Sequence, residues 1–111
     1  MVMGLAEEPV VIRHTGDPLM PADAVELAKD LDEEWSASDG RLTRTYTFSN
    51  FAEALAFVNS VGELAEEVDH HPMISFTWGR VEIEIWTHSI GGLQRGDFVF
   101  AARVDKIYEH M

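Results

Sequence analysis

The sequence predicts an α+β fold: a four-stranded antiparallel sheet with three helices packed on one face, in the order α-β-β-α-β-β-α. Three observations predict it. Apolar and polar residues alternate with the period of a strand along 42–48, behind an Asp39-Gly40 turn, and again along 74–86 on either side of Gly79. Apolar residues recur at helical spacing in three other stretches, 21–34, 50–69 and 97–110. Strands joined by tight turns are antiparallel, and helices standing between such hairpins must pack over the sheet they interrupt.

Residues 1–18 hold Gly4, Pro9, Gly16 and Pro18 around one short apolar run, Val10-Val11-Ile12. They read as an N-terminal arm of weak local structure, either an added edge strand or a disordered leader, ahead of a single domain over 19–111. In 21–34 the residues Ala24, Val25, Leu27, Ala28 and Leu31 form one apolar face, and Pro21 suits a first helical turn. Trp35 then leads an extended piece into the Asp39-Gly40 turn, after which Leu42, Arg44, Tyr46 and Phe48 alternate with Thr43, Thr45 and Thr47. Asn50 and Glu53 have capping-box spacing and open a wide stripe of Phe51, Ala54, Leu55, Phe57, Val58, Val61, Leu64, Ala65 and Val68. Pro72 ends this second helix near Asp69 or His70. Ile74, Phe76 and Trp78, then Val81, Ile83 and Ile85, make the second hairpin, with His88 at its far end. Beyond the Gly91-Gly92 loop, Phe98, Ala101, Ala102, Val104, Ile107 and Tyr108 repeat as a third helix. Phe48, Phe57, Phe76 and Phe98 fall on the stripes assigned to the core, whereas Trp78 and Trp86 offer faces on which a flat ligand could stack.

Composition narrows the function classes. A chain of 111 residues that is 46% hydrophobic and 25% charged, with six Phe, three Trp and two Tyr, is too apolar and aromatic to be disordered throughout. Eight Lys and Arg against 20 Asp and Glu give a net charge of -12, which repels phosphate backbones and anionic lipid, so neither nucleic acid nor membrane is an expected partner. With no cysteine, disulfides, thiolate metal sites and cysteine nucleophiles are excluded, and the expected compartment is the cytoplasm. The exposed edges of so small a sheet could pair with a second copy, so a homodimer or higher homo-oligomer is expected.

Three of the five histidines stand where elements end. His70 and His71 leave the second helix, Glu66 stands one turn before His70, and His88 closes the second hairpin, so the three imidazoles can line one mouth. Imidazole populates both protonation states near neutral pH, which suits paired proton transfers. For His70 alone the plainer explanation is a favourable cation at a helix C-terminus, and for Asp97 a favourable anion in a first turn. A metal held by Glu66 and His70 with His71 or His88 is disfavoured, because adjacent side chains diverge and no HExxH pair occurs. Nor is there a GxSxG elbow, and the Gly91-Gly92 pair is the bland turn rather than a phosphate loop.

Glu66, His70-His71-Pro72, Trp78, His88 and Asp97 stand in the order and at the spacing of one family pattern, and 66–97 resembles the pterin-4a-carbinolamine dehydratases. Further similarity runs through Gly40-Arg-Leu-Thr-Arg-Thr-Tyr-Thr-Phe48, Phe57-Val-Asn59, Thr87-His88 and Gly91-Gly92-Leu93, covering roughly 35–108. The resemblance implies a hydro-lyase that dehydrates 4a-hydroxytetrahydropterin to quinonoid dihydropterin in recycling a tetrahydrobiopterin-type cofactor, with no metal and no cofactor of its own. It implies His70, His71 and His88 as catalytic positions, Pro72, Thr87, Ser89 and Ile90 as substrate-binding positions, and Glu66 and Asp97 as the acids that orient the histidines. Members of the family also serve as transcription partners or assembly chaperones, which leaves a protein-binding module as the alternative. Two departures stand out. Gln94 occupies the place of the usual Ser or Thr before the last helix, with Gly96 following, so a weaker helix start is expected; and Arg95 lies one residue earlier than the arginine of many relatives.

Overall fold

The computed structural model describes residues 4–111. Its elements are α1 (Pro21–Ala28), β1 (Ser36–Ser38), β2 (Arg41–Thr47), α2 (Phe51–Val68), β3 (Met73–Thr77), β4 (Arg80–Ile85) and α3 (Arg95–Glu109), with 3-10 turns at Leu5–Glu7 and His88–Ile90. The four strands form one antiparallel sheet in the order β1-β2-β4-β3. This is the predicted α+β fold, in the predicted order.

The alternation seen in the sequence sets the register. Leu42 pairs with Ile85 and Tyr46 with Val81, so the buried residues of β2 and of β4 share one face and pack against α2 and α3. Phe57, Val61 and Ala65 from α2 and Phe98, Ala101 and Val104 from α3 complete the core. Tyr46 lies at its aromatic centre, 4.7 Å from the ring of Phe57 and 4.8 Å from that of Tyr108. Its hydroxyl donates to the carboxylate of Asp105 at 2.6 Å, and Trp35 Nε1–H donates to the same group at 2.9 Å. Burial and the neighbouring carboxylate raise the Tyr46 pKa far above the usual tyrosine value, and burial raises that of Asp105.

Three details differ from expectation. The first helix stops at Ala28, because Asp30, Asp32, Glu33 and Glu34 would crowd negative charge at its negative end; the chain leaves through i to i+3 turns instead. Phe76 is 37% exposed, since β3 is the sheet edge and reaches beyond the cover of α2 except for a stack on Phe51. The last helix starts at Arg95, before the expected Asp97.

Residues 10–12 add no strand to the sheet. Among the described residues the regular structure of the arm is limited to the 3-10 turn, whose Leu5 is buried against α3. Two arginines of α3 hold the arm just past that turn: Arg95 pairs with Glu8 through two bonds of 2.9 and 2.7 Å, and Arg103 donates to the Glu8 carbonyl.

Candidate active site

The end of α2 decides where two imidazoles go. Asp69 caps the helix in the left-handed region at φ 51°, and its N–H donates to the Ala65 carbonyl. Such a cap ends the helix in a sharp bend, and an aspartate tolerates it better than most residues. After the bend His70 turns inward and His71 outward. His70 is buried, its ring edge-on to Phe100 at 5.8 Å, and its Nε2 lies 2.6 Å from Asp97 Oδ1. His71 is exposed, with its Nε2 2.5 Å from Glu66 Oε2. Sequence spacing aligned Glu66 with His70, but the bend hands Glu66 to His71 and leaves His70 for Asp97.

Asp97 has no solvent exposure and three partners. It accepts from His70, from the Thr87 hydroxyl at 2.9 Å and from the Gln94 backbone N–H at 2.9 Å. The last of these caps α3, so a single carboxylate both starts the helix and fixes an imidazole. The start expected to be weaker is therefore closed from inside the helix. Because a carboxylate only accepts, the shared proton sits on His70 Nε2, and Nδ1 carries none in the neutral ring.

Thr87 is held by the β-bridge to Gly92, which folds the loop so that His88 and Ser89 project from a 3-10 turn. His88 and Ser89 are exposed. His70, His71 and His88 line one cleft of about 300 Å³ together with Asp69, Trp86, Thr87, Ser89 and His14. That volume is at the small end of ligand sites and suits a compact molecule. Trp86 contributes a flat wall, with the Arg41 guanidinium 4.1 Å from its ring centre.

Several positions singled out in the sequence lie elsewhere. Pro72 is not among the lining residues, Ile90 is buried, and Trp78 stands 66% exposed at the β3–β4 turn. Arg95 points to Glu8. Sequence reasoning passed over His14, because nothing local in a Gly- and Pro-containing arm marks a histidine that reaches a site by tertiary docking, and it noted Gln94 only as a departure at the helix start. Another cavity, of about 270 Å³, lies across the Gly91-Gly92 loop between α1 and the β1–β2 turn. It is walled mainly by proline, alanine, leucine and glycine, with Ser38 and Asp39 as its polar lining and no imidazole. Among the described residues no group of three or more His, Cys, Asp or Glu is placed to hold a metal ion.

With this arrangement in place, comparison with known proteins is decisive. The family model for pterin 4 alpha carbinolamine dehydratase matches residues 17–107. The chain belongs to that family. A Rubrobacter xylanophilus protein named as a candidate pterin-4-alpha-carbinolamine dehydratase is 49% identical over 104 residues, covering 93% of this chain and 97% of its own. One from Chlorobium luteolum, named likewise, is 48% identical over 98 residues, 85% of each chain. Among solved structures, a Brucella melitensis protein described as a transcriptional coactivator/pterin dehydratase superposes with a TM-score of 0.76 at 27% identity, covering 82% of this chain and 98% of its own. A pterin dehydratase-like protein described as a RuBisCO assembly factor of the alpha-carboxysome superposes with a TM-score of 0.56 at 27% identity, covering 66% of this chain and 84% of its own.

Proposed function

We propose that this member of the pterin carbinolamine dehydratase family removes water from 4a-hydroxytetrahydropterin to give quinonoid dihydropterin, recycling a tetrahydrobiopterin-type cofactor. The observation that carries the reading is the cleft shared by three imidazoles, two of them paired with carboxylates and one exposed without an ion pair among the described residues.

The reaction needs two proton movements. One proton goes to the 4a-hydroxyl oxygen as the C4a–O bond breaks and water leaves; another leaves N5 as the C4a–N5 double bond forms. A single side chain serves both positions poorly, whereas imidazoles on separate backbone segments can flank a flat bicycle. His71 and His88, both exposed to the cleft, act on these protons. Glu66 favours a proton on His71 Nε2, which leaves Nδ1 as the basic nitrogen of the neutral ring. His70, locked by Asp97, orients the pterin. Thr87 and Ser89, which line the cleft, meet its polar edge. The test is the decay of enzymatically generated 4a-hydroxytetrahydropterin. Acceleration over buffer is expected, and a preparation with no acceleration defeats the reading.

The edge strand β3 supports a homodimer or higher homo-oligomer. Its Met73 and Phe76 are 55% and 37% exposed, beside exposed Phe51 and Leu55 of α2, and its outer backbone edge has no partner strand among the described residues. The same surface, and the descriptions of the two solved neighbours, favour a second reading in which the fold binds another protein. Pull-down from the native cell separates this role from self-association.

A further inference from the structure

The cleft has one wall outside the residues matched by the family model. His14 precedes residue 17, where the match starts, yet its ring lines the cleft beside His70, His71 and His88, with Nδ1 3.0 Å from Ser89 Oγ. Its place is built, not incidental. The Gln94 side chain grips the backbone of Arg13 at two points: the Arg13 N–H donates to Oε1 at 3.0 Å, and Nε2 donates to the Arg13 carbonyl at 2.9 Å. That Nε2 also donates to the Thr87 hydroxyl at 3.0 Å, which in turn donates to Asp97, the partner of His70. Side chain and arm therefore form one hydrogen-bonded unit.

Gly96 makes the approach possible. A Cβ there would lie 2.3 Å from the Val11 carbonyl oxygen, so any other residue would push the arm away. Beyond His14 the chain is turned by the Arg13 guanidinium, which donates to the carbonyls of Thr15 and Asp17 at 2.7 and 2.5 Å. Gln94 and Gly96 are both used to dock the arm.

We propose that His14 is a substrate-binding residue of the cleft, delivered by the docked arm. With Nδ1 held by Ser89, Nε2 is the nitrogen left to hydrogen-bond the polar edge of a bound pterin. This deepens the dehydratase reading and rests on its choice of ligand. The experiment is calorimetric titration of the full chain with 7,8-dihydrobiopterin, run beside turnover. His14→Ala is expected to weaken binding about 10-fold and to raise KM by a similar factor, with kcat within about twofold, as for an interaction equal in ground and transition states. Its melting temperature stays within about 2 °C, because the ring is exposed. Arg13→Ala, which frees the turn without touching the cleft, moves Kd in the same direction, and adding His14→Ala to it has little further effect. Unchanged binding by His14→Ala in an active protein overturns the inference and leaves the dehydratase reading standing, and so do fully additive effects of the two variants. Binding by the wild type without turnover removes the dehydratase reading alone; no binding at all removes both.

Discussion

Replacing Asp97 by asparagine separates the two jobs of that carboxylate. One oxygen, Oδ2, accepts from Thr87 and from the Gln94 N–H, and the asparagine carbonyl can take over both bonds. The other, Oδ1, faces His70 Nε2 at 2.6 Å, and an amide NH2 there would set donor against donor. His70 escapes only by moving its proton to Nδ1, which inverts the tautomer presented to the cleft. Loss of one buried charge-assisted bond costs about 1.5–3 kcal/mol. At about 4–8 °C per kcal/mol for a domain near this size, the melting temperature falls by roughly 6–24 °C. The fold survives, since domains of this class hold about 5–15 kcal/mol. Turnover falls by about 10²-fold, the loss typical when an acid-base site loses its preorganisation. Far-UV circular dichroism, thermal melting and the carbinolamine decay assay on one preparation test all three. An Asp97→Asn protein that melts lower yet turns over at the normal rate would show that the Asp97–His70 bond serves stability alone, and the assignment of His70 as the orienting ring would fail.

Three further outcomes are expected. His71→Ala and His88→Ala each lower turnover by about 10²-fold or more with melting within a few degrees of wild type, because both rings are exposed; near-normal rates in both would move the chemistry elsewhere. Tyr46 keeps its proton in the fold while an unfolded tyrosine loses it near pH 10, so stability is intact below about pH 10 and falls by up to about 1.4 kcal/mol per pH unit above it. Tyr46→Phe removes that component at the cost of about 1–2 kcal/mol at neutral pH, and denaturant titrations from pH 8 to 11 read both effects. Phe76→Glu places charge on the exposed β3 edge and shifts the protein toward monomer; light scattering after size-exclusion at micromolar concentration checks it, and an unchanged oligomer would place the interface elsewhere.

Strand and helix periods were legible because each is a local property of the chain. The threonine alternation in β2 and the Asn50-to-Val68 stripe needed no partner to be read, and Asn50 does accept from the Glu53 N–H at 2.9 Å. The limits of α1 and the exposure of Phe76 were not legible, since the first depends on charges past the helix end and the second on which strand becomes the edge. In the site, the stations of His70, His71 and His88 at element ends could be read, but not which acid each would face. One left-handed residue, Asp69, made that choice by turning successive side chains to opposite sides.

By itself, then, the sequence determined the α+β order, the family and the histidines that deserved scrutiny, because periodicity and motif spacing are written along the chain. Only the tertiary structure decided that Asp97 holds His70, that Glu66 holds His71 and that the arm carries His14 to their cleft. Those are contacts between segments far apart in number, and their geometry exists only once a β-bridge, a bent helix end and a glycine without a side chain have brought the backbones together.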